Sequence, residues 1–137
     1  MSIEDIKAVA HRWNEEIYSK MNLSAIDELY ASDFVWHSAF PGMTPDREGY
    51  RQSIMSLLPF ANIHYVGEDM ITEGDKVAIR WTWSGTHKDE YMGIAPTGKT
   101  ATITGITILR IVSGKIVEEW DEQDMLSFME QLGIKQG

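Results

Sequence analysis

Apolar residues recur every three or four positions at Ile3, Ile6, Val9, Trp13, Ile17 and Met21, the spacing of one face of a long helix. Ser2, followed by Glu4 and Asp5, offers that helix a cap and acids in its first turn. Asn22-Leu23-Ser24 breaks the run. Ser24 can then cap a short second helix through Tyr30, with Ile26, Leu29 and Tyr30 as its apolar side. Phe34-Val35-Trp36-His37 is β-prone and leads to a loop holding Pro41, Gly42 and Pro45. Thr44-Pro45 reads as the cap and first position of a third helix, which reaches about Leu58 before Pro59 stops it. Its inward residues are Tyr50, Ile54 and Leu57/Leu58.

From there the periodicity becomes extended. Ile63–Thr72 and Lys76–His87 flank Glu73-Gly74-Asp75, a hairpin signal. In the second strand Val77, Ile79, Trp81 and Trp83 alternate with Ala78, Arg80, Thr82 and Ser84. Thr100–Val112 is a further strand, and Ser113-Gly114 turns it into Lys115-Ile116-Val117-Glu118-Glu119-Trp120. Asp124–Leu132 closes the chain as a short helix, with Met125, Phe128, Met129 and Leu132 on one face and Gly133 as its stop. Helices first and then a meander of long strands is an α+β order, with helices packed on one face of a strongly curved sheet. Such a sheet forms a cone whose mouth is a natural small-molecule site.

Composition narrows the function classes. The 137 residues suit one domain, 1–137, with 43% hydrophobic and 24% charged residues. Five Trp, five Tyr, four Phe and eight Met can fill a core or line a cavity. A net charge of −9 with no basic run argues against a nucleic-acid partner. The absence of cysteine excludes a disulfide framework and thiolate chemistry, and it fits a cytoplasmic protein. No stretch is apolar enough to cross a membrane, and no membrane partner is expected.

The chemistry-bearing residues are few. Strand alternation puts His87 on the side of Trp81 and Trp83, at the edge of the apolar face, where it could bond a ligand carbonyl or act as acid/base. The competing reading is a half-exposed histidine that fixes the Gly85–Lys99 loop, and a bulge after Gly85 would reverse the facing. His37 ends the first strand beside Trp36, a place more usual for a structural histidine. The histidines at 11, 37, 64 and 87 include no short-spaced pair, so no metal site is expected. No nucleophile elbow, dinucleotide or phosphate-binding loop is present. In the last strand a regular pleat puts Glu118, Trp120, Glu122 and Asp124 on one face and Val117, Glu119 and Asp121 on the other. Most of these acids must be exposed or paired, because burying unpaired charge is costly. One could sit at the apolar mouth as a general acid/base, while Asp124 is also placed to cap the final helix.

The ordered landmarks are His37 with Pro41-Gly42, Glu48-Gly49-Tyr50-Arg51, Gly74-Asp75-Lys76-Val77-Ala78-Ile79-Arg80, Gly85-Thr86-His87, Gly93–Lys99, Arg110-Ile111, Gly114–Trp120 with Asp124, and Gln131-Leu132-Gly133. Together they resemble the SnoaL-like polyketide (ester) cyclase family of the nuclear transport factor 2-like superfamily. The resemblance implies an α+β cone around an apolar cavity, a homodimer joined through the sheet, and no metal or cofactor. It also implies a cyclase-like enzyme that closes a ring by aldol chemistry on a small apolar carbonyl substrate. The acid/base carboxylate maps best to Asp124, with Asp121 as the rival if the strand register differs. His87 and His37 fall where polar pocket residues are expected. Trp36, Tyr50, Trp81, Trp83, Tyr91 and Trp120 are the expected substrate contacts. The alternatives are a non-catalytic small-molecule binding protein, or another reaction on this fold such as epoxide hydrolysis or isomerisation.

Overall fold

In the computed structural model, which describes residues 1–134, Ser2 caps helix α1 (Ile3–Trp13). The Ser2 hydroxyl accepts the Asp5 N–H and the Asp5 carboxylate accepts that of Ser2, a reciprocal capping box. The expected long helix to Met21 is interrupted: after Trp13 it widens into a π-helical turn, Asn14–Ser19. The extra residue turns two neighbours inward, Ile17 into the core and Tyr18 against Tyr65 and Trp81. Helix α2 (Ser24–Leu29) runs directly into strand β1 (Tyr30–Trp36).

Helix α3 (Arg47–Met55) is capped by Asp46, whose carboxylate accepts the Gly49 N–H, so its start lies two residues beyond Thr44. Thr44 instead bonds the Asp46 side chain, and its carbonyl approaches Gly49 where a Cβ would collide. Strands β2 (Phe60–Glu73), β3 (Lys76–His87), β4 (Thr100–Val112) and β5 (Lys115–Gln123) follow, and helix α4 (Met125–Gln131) ends the fold. The five strands form one curved, unclosed sheet in the order β1-β5-β4-β3-β2, with β1 parallel to β5 and every other pair antiparallel. Among the described residues no helix is long and apolar enough to cross a membrane.

Register decides what faces inward. Val77, Ile79, Trp81 and Trp83 of β3 and Ala101, Ile103, Thr107, Leu109 and Ile111 of β4 are buried beneath the helices. Gly105 lies opposite Trp81, and its missing side chain lets the indole lie across β4. The outer face carries a row that runs Ile71, Ala78, Ile108 and Trp120 across four strands. In β5 the pairing shifts: Ile111 faces Ile116, but Arg110 faces Glu118, which leaves Val117 as an extra residue. This bulge inverts the phase. Counting by twos from buried Ile116 would bring Glu118, Trp120, Glu122 and Asp124 inward; after the bulge Glu119 and Asp121 face inward instead.

Candidate active site

A pocket of about 390 Å³ opens between the inner sheet face, the π-helical turn, α3 and the loop after β1. Tyr18, Trp36, Phe40, Trp81, Trp83 and Tyr91 are its aromatic walls, and β5 contributes Asp121, which faces inward, and the exposed Glu122. Ser38, Ser53, Ser56 and Gln123 also line it, so the space is mixed in polarity and not purely apolar. Cross-strand pairing puts Asp121 opposite Thr107. The Thr107 hydroxyl donates to Asp121 Oδ1 at 2.6 Å, and the Trp36 indole N–H donates to Oδ2 at 3.0 Å. Thr107 is itself oriented by the Trp81 N–H at 2.9 Å. The Asp121 backbone N–H donates to Ser38 Oγ at 2.7 Å, which ties the strand to the pocket loop. A carboxylate with a donor on each oxygen is fixed in direction, the condition for reproducible proton transfer.

Behind Asp121 lies a second acid. Glu119 is fully buried, and its Oε1 accepts the Tyr30 hydroxyl at 2.5 Å. Tyr30 in turn accepts the Trp13 N–H at 2.7 Å. Burial, followed by the nearby Asp121 charge, holds the Glu119 carboxyl well above the ordinary glutamate range. Burial is also the leading cause that raises Tyr18, Tyr30 and Tyr50, so all three phenols stay protonated. Tyr50 donates to the Tyr18 oxygen at 3.1 Å.

The expected site residues divide. Trp36, Trp81, Trp83 and Tyr91 line the pocket. Tyr50 stands behind the wall, bonded to Tyr18 and packed edge-on against Trp36. Trp120 lies on the outer face, where it stacks on His37 with 4.6 Å between ring centres. His37 borders the mouth, and its imidazole is held by Glu118 at 3.1 Å. His87 keeps the facing of Trp83 and is buried, stacked on Phe60, with Nδ1 engaged by Thr97 at 3.1 Å. Asp124 is exposed and caps α4, accepting the Ser127 N–H at 2.9 Å. It edges a shallow hollow beside Arg80 and Thr104, which adjoins the aromatic pocket through Trp81, Glu122 and Gln123 but does not include Asp121. Among the described residues no three His, Cys, Asp or Glu side chains gather as a metal-binding cluster.

Residues 8–132 match the sequence profile of the SnoaL-like polyketide cyclases. The chain belongs to this family. No match to a curated protein was found. Among solved structures it is similar to IdmH of Streptomyces antibioticus, described as a candidate polyketide cyclase, at 29% identity, TM-score 0.80, 94% of this chain and 99% of that one. It is equally similar to AclR of Streptomyces galilaeus, described as a candidate hydroxylase, at 28% identity, TM-score 0.81, 96% of this chain and 83% of that one. TsrD of Streptomyces laurentii shares the fold at 23% identity, TM-score 0.85, 98% of this chain and 99% of that one.

Four residues of this SnoaL-like site had no individual signal in the sequence: Tyr18, Tyr30, Thr107 and Glu119. Tyr18 is brought in by the π turn, which no periodicity announces. Glu119 was placeable on the face of Asp121 by alternation, but an acid at full burial runs against expectation.

Proposed function

We propose that the chain is a cofactor-independent, cyclase-like enzyme in which Asp121 is the general base toward a small, flat carbonyl substrate. The observation that carries this reading is the Asp121 carboxylate itself, set in an aromatic pocket with a donor on each oxygen. Asp121 removes the proton alpha to a carbonyl. The electron pair moves onto the carbonyl oxygen as an enolate, which attacks a second carbonyl of the same molecule and closes the ring. Protonation of the new alkoxide, by the acid that Asp121 has become, returns the base. Positioned proton transfer of this kind is worth about 10²–10⁴ in rate.

Tyr18 is suited to meet the enolate oxygen. It accepts from Tyr50, which leaves its own proton free on the pocket side. A donor so placed contributes on the order of 10²–10³ where charge develops. His87 and His37 have no such part in this reading: His87 is buried outside the pocket lining, and the His37 ring is engaged by Glu118. Trp36, Trp81, Trp83 and Tyr91 hold the flat substrate and exclude water. The same reading includes a cytoplasmic homodimer joined through the outer sheet face.

The test uses ethyl benzoylacetate, a flat aryl β-ketoester, in deuterated buffer, with alpha-proton exchange followed by proton NMR. Wild-type protein accelerates exchange above the buffer rate, and Asp121→Asn loses that acceleration while still binding the ester. Binding without accelerated exchange in wild type would mark the chain as a non-catalytic binding protein.

A further inference from the structure

The proposed reaction gives no task to Glu119, the only fully buried acid among the described residues. Its two oxygens are unequal. Oε1 accepts the Tyr30 hydroxyl, and because the Tyr30 oxygen already accepts the Trp13 N–H, the phenol proton belongs to Glu119. Oε2 is buried and has no hydrogen-bond partner among the described residues. An ionised Glu119 would leave that oxygen with no hydrogen bond, next to a second carboxylate. A neutral Glu119 with its proton on Oε2 is instead a donor in search of an acceptor. The next inward side chain along β5 is Asp121.

Among the described residues, none of the groups that act on Glu119 is a cation. Tyr18 of the π-helical turn, Tyr30 of β1, Tyr50 of α3 and Tyr65 of β2 are the titratable groups that face it, with Asp121 of its own strand. Leu109 of β4 and Trp36 of β1 lie opposite Glu119 in the sheet and carry no charge. All four phenols are raised, with burial as the leading cause, so none ionises to compete.

We propose that Glu119 is a neutral positioning residue whose Oε2–H is aimed at the Asp121 carboxylate, so that the pair holds one proton and Asp121 carries the charge. This rests on the reading of Asp121 as the base. The Trp13–Tyr30–Glu119 chain then delivers a third donor to Asp121, beside Trp36 and Thr107. It couples the rotamer of the base to the helical layer. Two acids two residues apart on one face thereby take different parts: one stores the proton, the other accepts it from substrate.

Infrared difference spectra and the exchange assay test this together. Wild type minus Glu119→Gln at neutral pH is expected to show the carbonyl band of a protonated carboxylic acid, and that band shifts in Asp121→Asn because its charged acceptor is gone. In exchange of ethyl benzoylacetate, Glu119→Leu is expected to lose about 100-fold, and Glu119→Gln, which keeps a neutral donor, to lose only about 10-fold. A missing acid band, a band unmoved by Asp121→Asn, or wild-type exchange in Glu119→Leu would each overturn the proposal. Should Glu119→Leu not fold, the two spectra decide alone. Undiminished exchange in Asp121→Asn overturns the base assignment and this inference with it. Exchange lost in Asp121→Asn but kept in Glu119→Leu overturns only the role of Glu119.

Discussion

Glu119 ties the site to stability as well as to chemistry. Its carboxyl is raised by burial, so over a range above about pH 4.3 the unfolded chain releases a proton that the folded chain keeps. The stability it contributes is therefore full below the unfolded value and is lost as pH rises toward the folded one. Glu119→Gln removes that slope. Above the unfolded value, thermal unfolding is expected to move in favour of the variant relative to wild type as pH rises. Glu118 acts with the opposite sign: its bond to His37 lowers it, so its contribution is lost only in acid, outside that range. At this scale part of the pocket lining was legible. Trp36, Trp81, Trp83 and Tyr91 are found on the pocket wall. The choice between Asp121 and Asp124 was not, because a single extra residue at Val117 sets which acids face inward. A bulge leaves no composition signature in a strand of Lys, Ile, Val and Glu.

The elements with capping or turn chemistry were the most legible. Ser2 starts α1, Gly74 turns β2 into β3, and Ser113-Gly114 turns β4 into β5 with both residues at positive φ. Where two features competed, sequence could not arbitrate. Asp46 outdid Thr44 as the cap of α3, and the π turn divided what reads as one helix. Asp124 lies where β5 meets α4, and its capping bond explains its side-chain direction without any catalytic part. Asp124→Ala is expected to destabilise the fold by about 1 kcal/mol, since the Ser127 N–H loses its acceptor. Asp124→Asn, an equally good cap, should be nearly neutral. Chemical denaturation of both variants measures the difference. The effect extends beyond seven residues, because Phe128 of α4 packs on Phe60, Trp83 and Tyr91 beside the pocket.

The whole molecule was read correctly as helices on one side of a mainly antiparallel curved sheet. Long alternating strands and a helix-first order leave few other arrangements. What the order could not supply was the parallel pairing of β1 with β5, which joins residues 30–36 to 115–123 and brings Trp36 beside Glu119. The outer sheet face keeps Ile71, Ile106 and Ile108 exposed, at 69%, 50% and 37%, although the chain carries a net charge of −9. In the proposed homodimer this face is covered. Ile106→Asp combined with Ile108→Asp is then expected to halve the mass seen by light scattering while circular dichroism stays unchanged. A wild-type monomer would dismiss that part of the proposal.

The central claim is that Asp121, and not Asp124, is the working carboxylate. Alpha-proton exchange of ethyl benzoylacetate by Asp121→Asn and Asp124→Asn, measured side by side, tests it most directly. Asp121→Asn is expected to lose about 10²–10⁴ of the acceleration and Asp124→Asn to stay near wild type. Loss in Asp124→Asn with Asp121→Asn intact would contradict it.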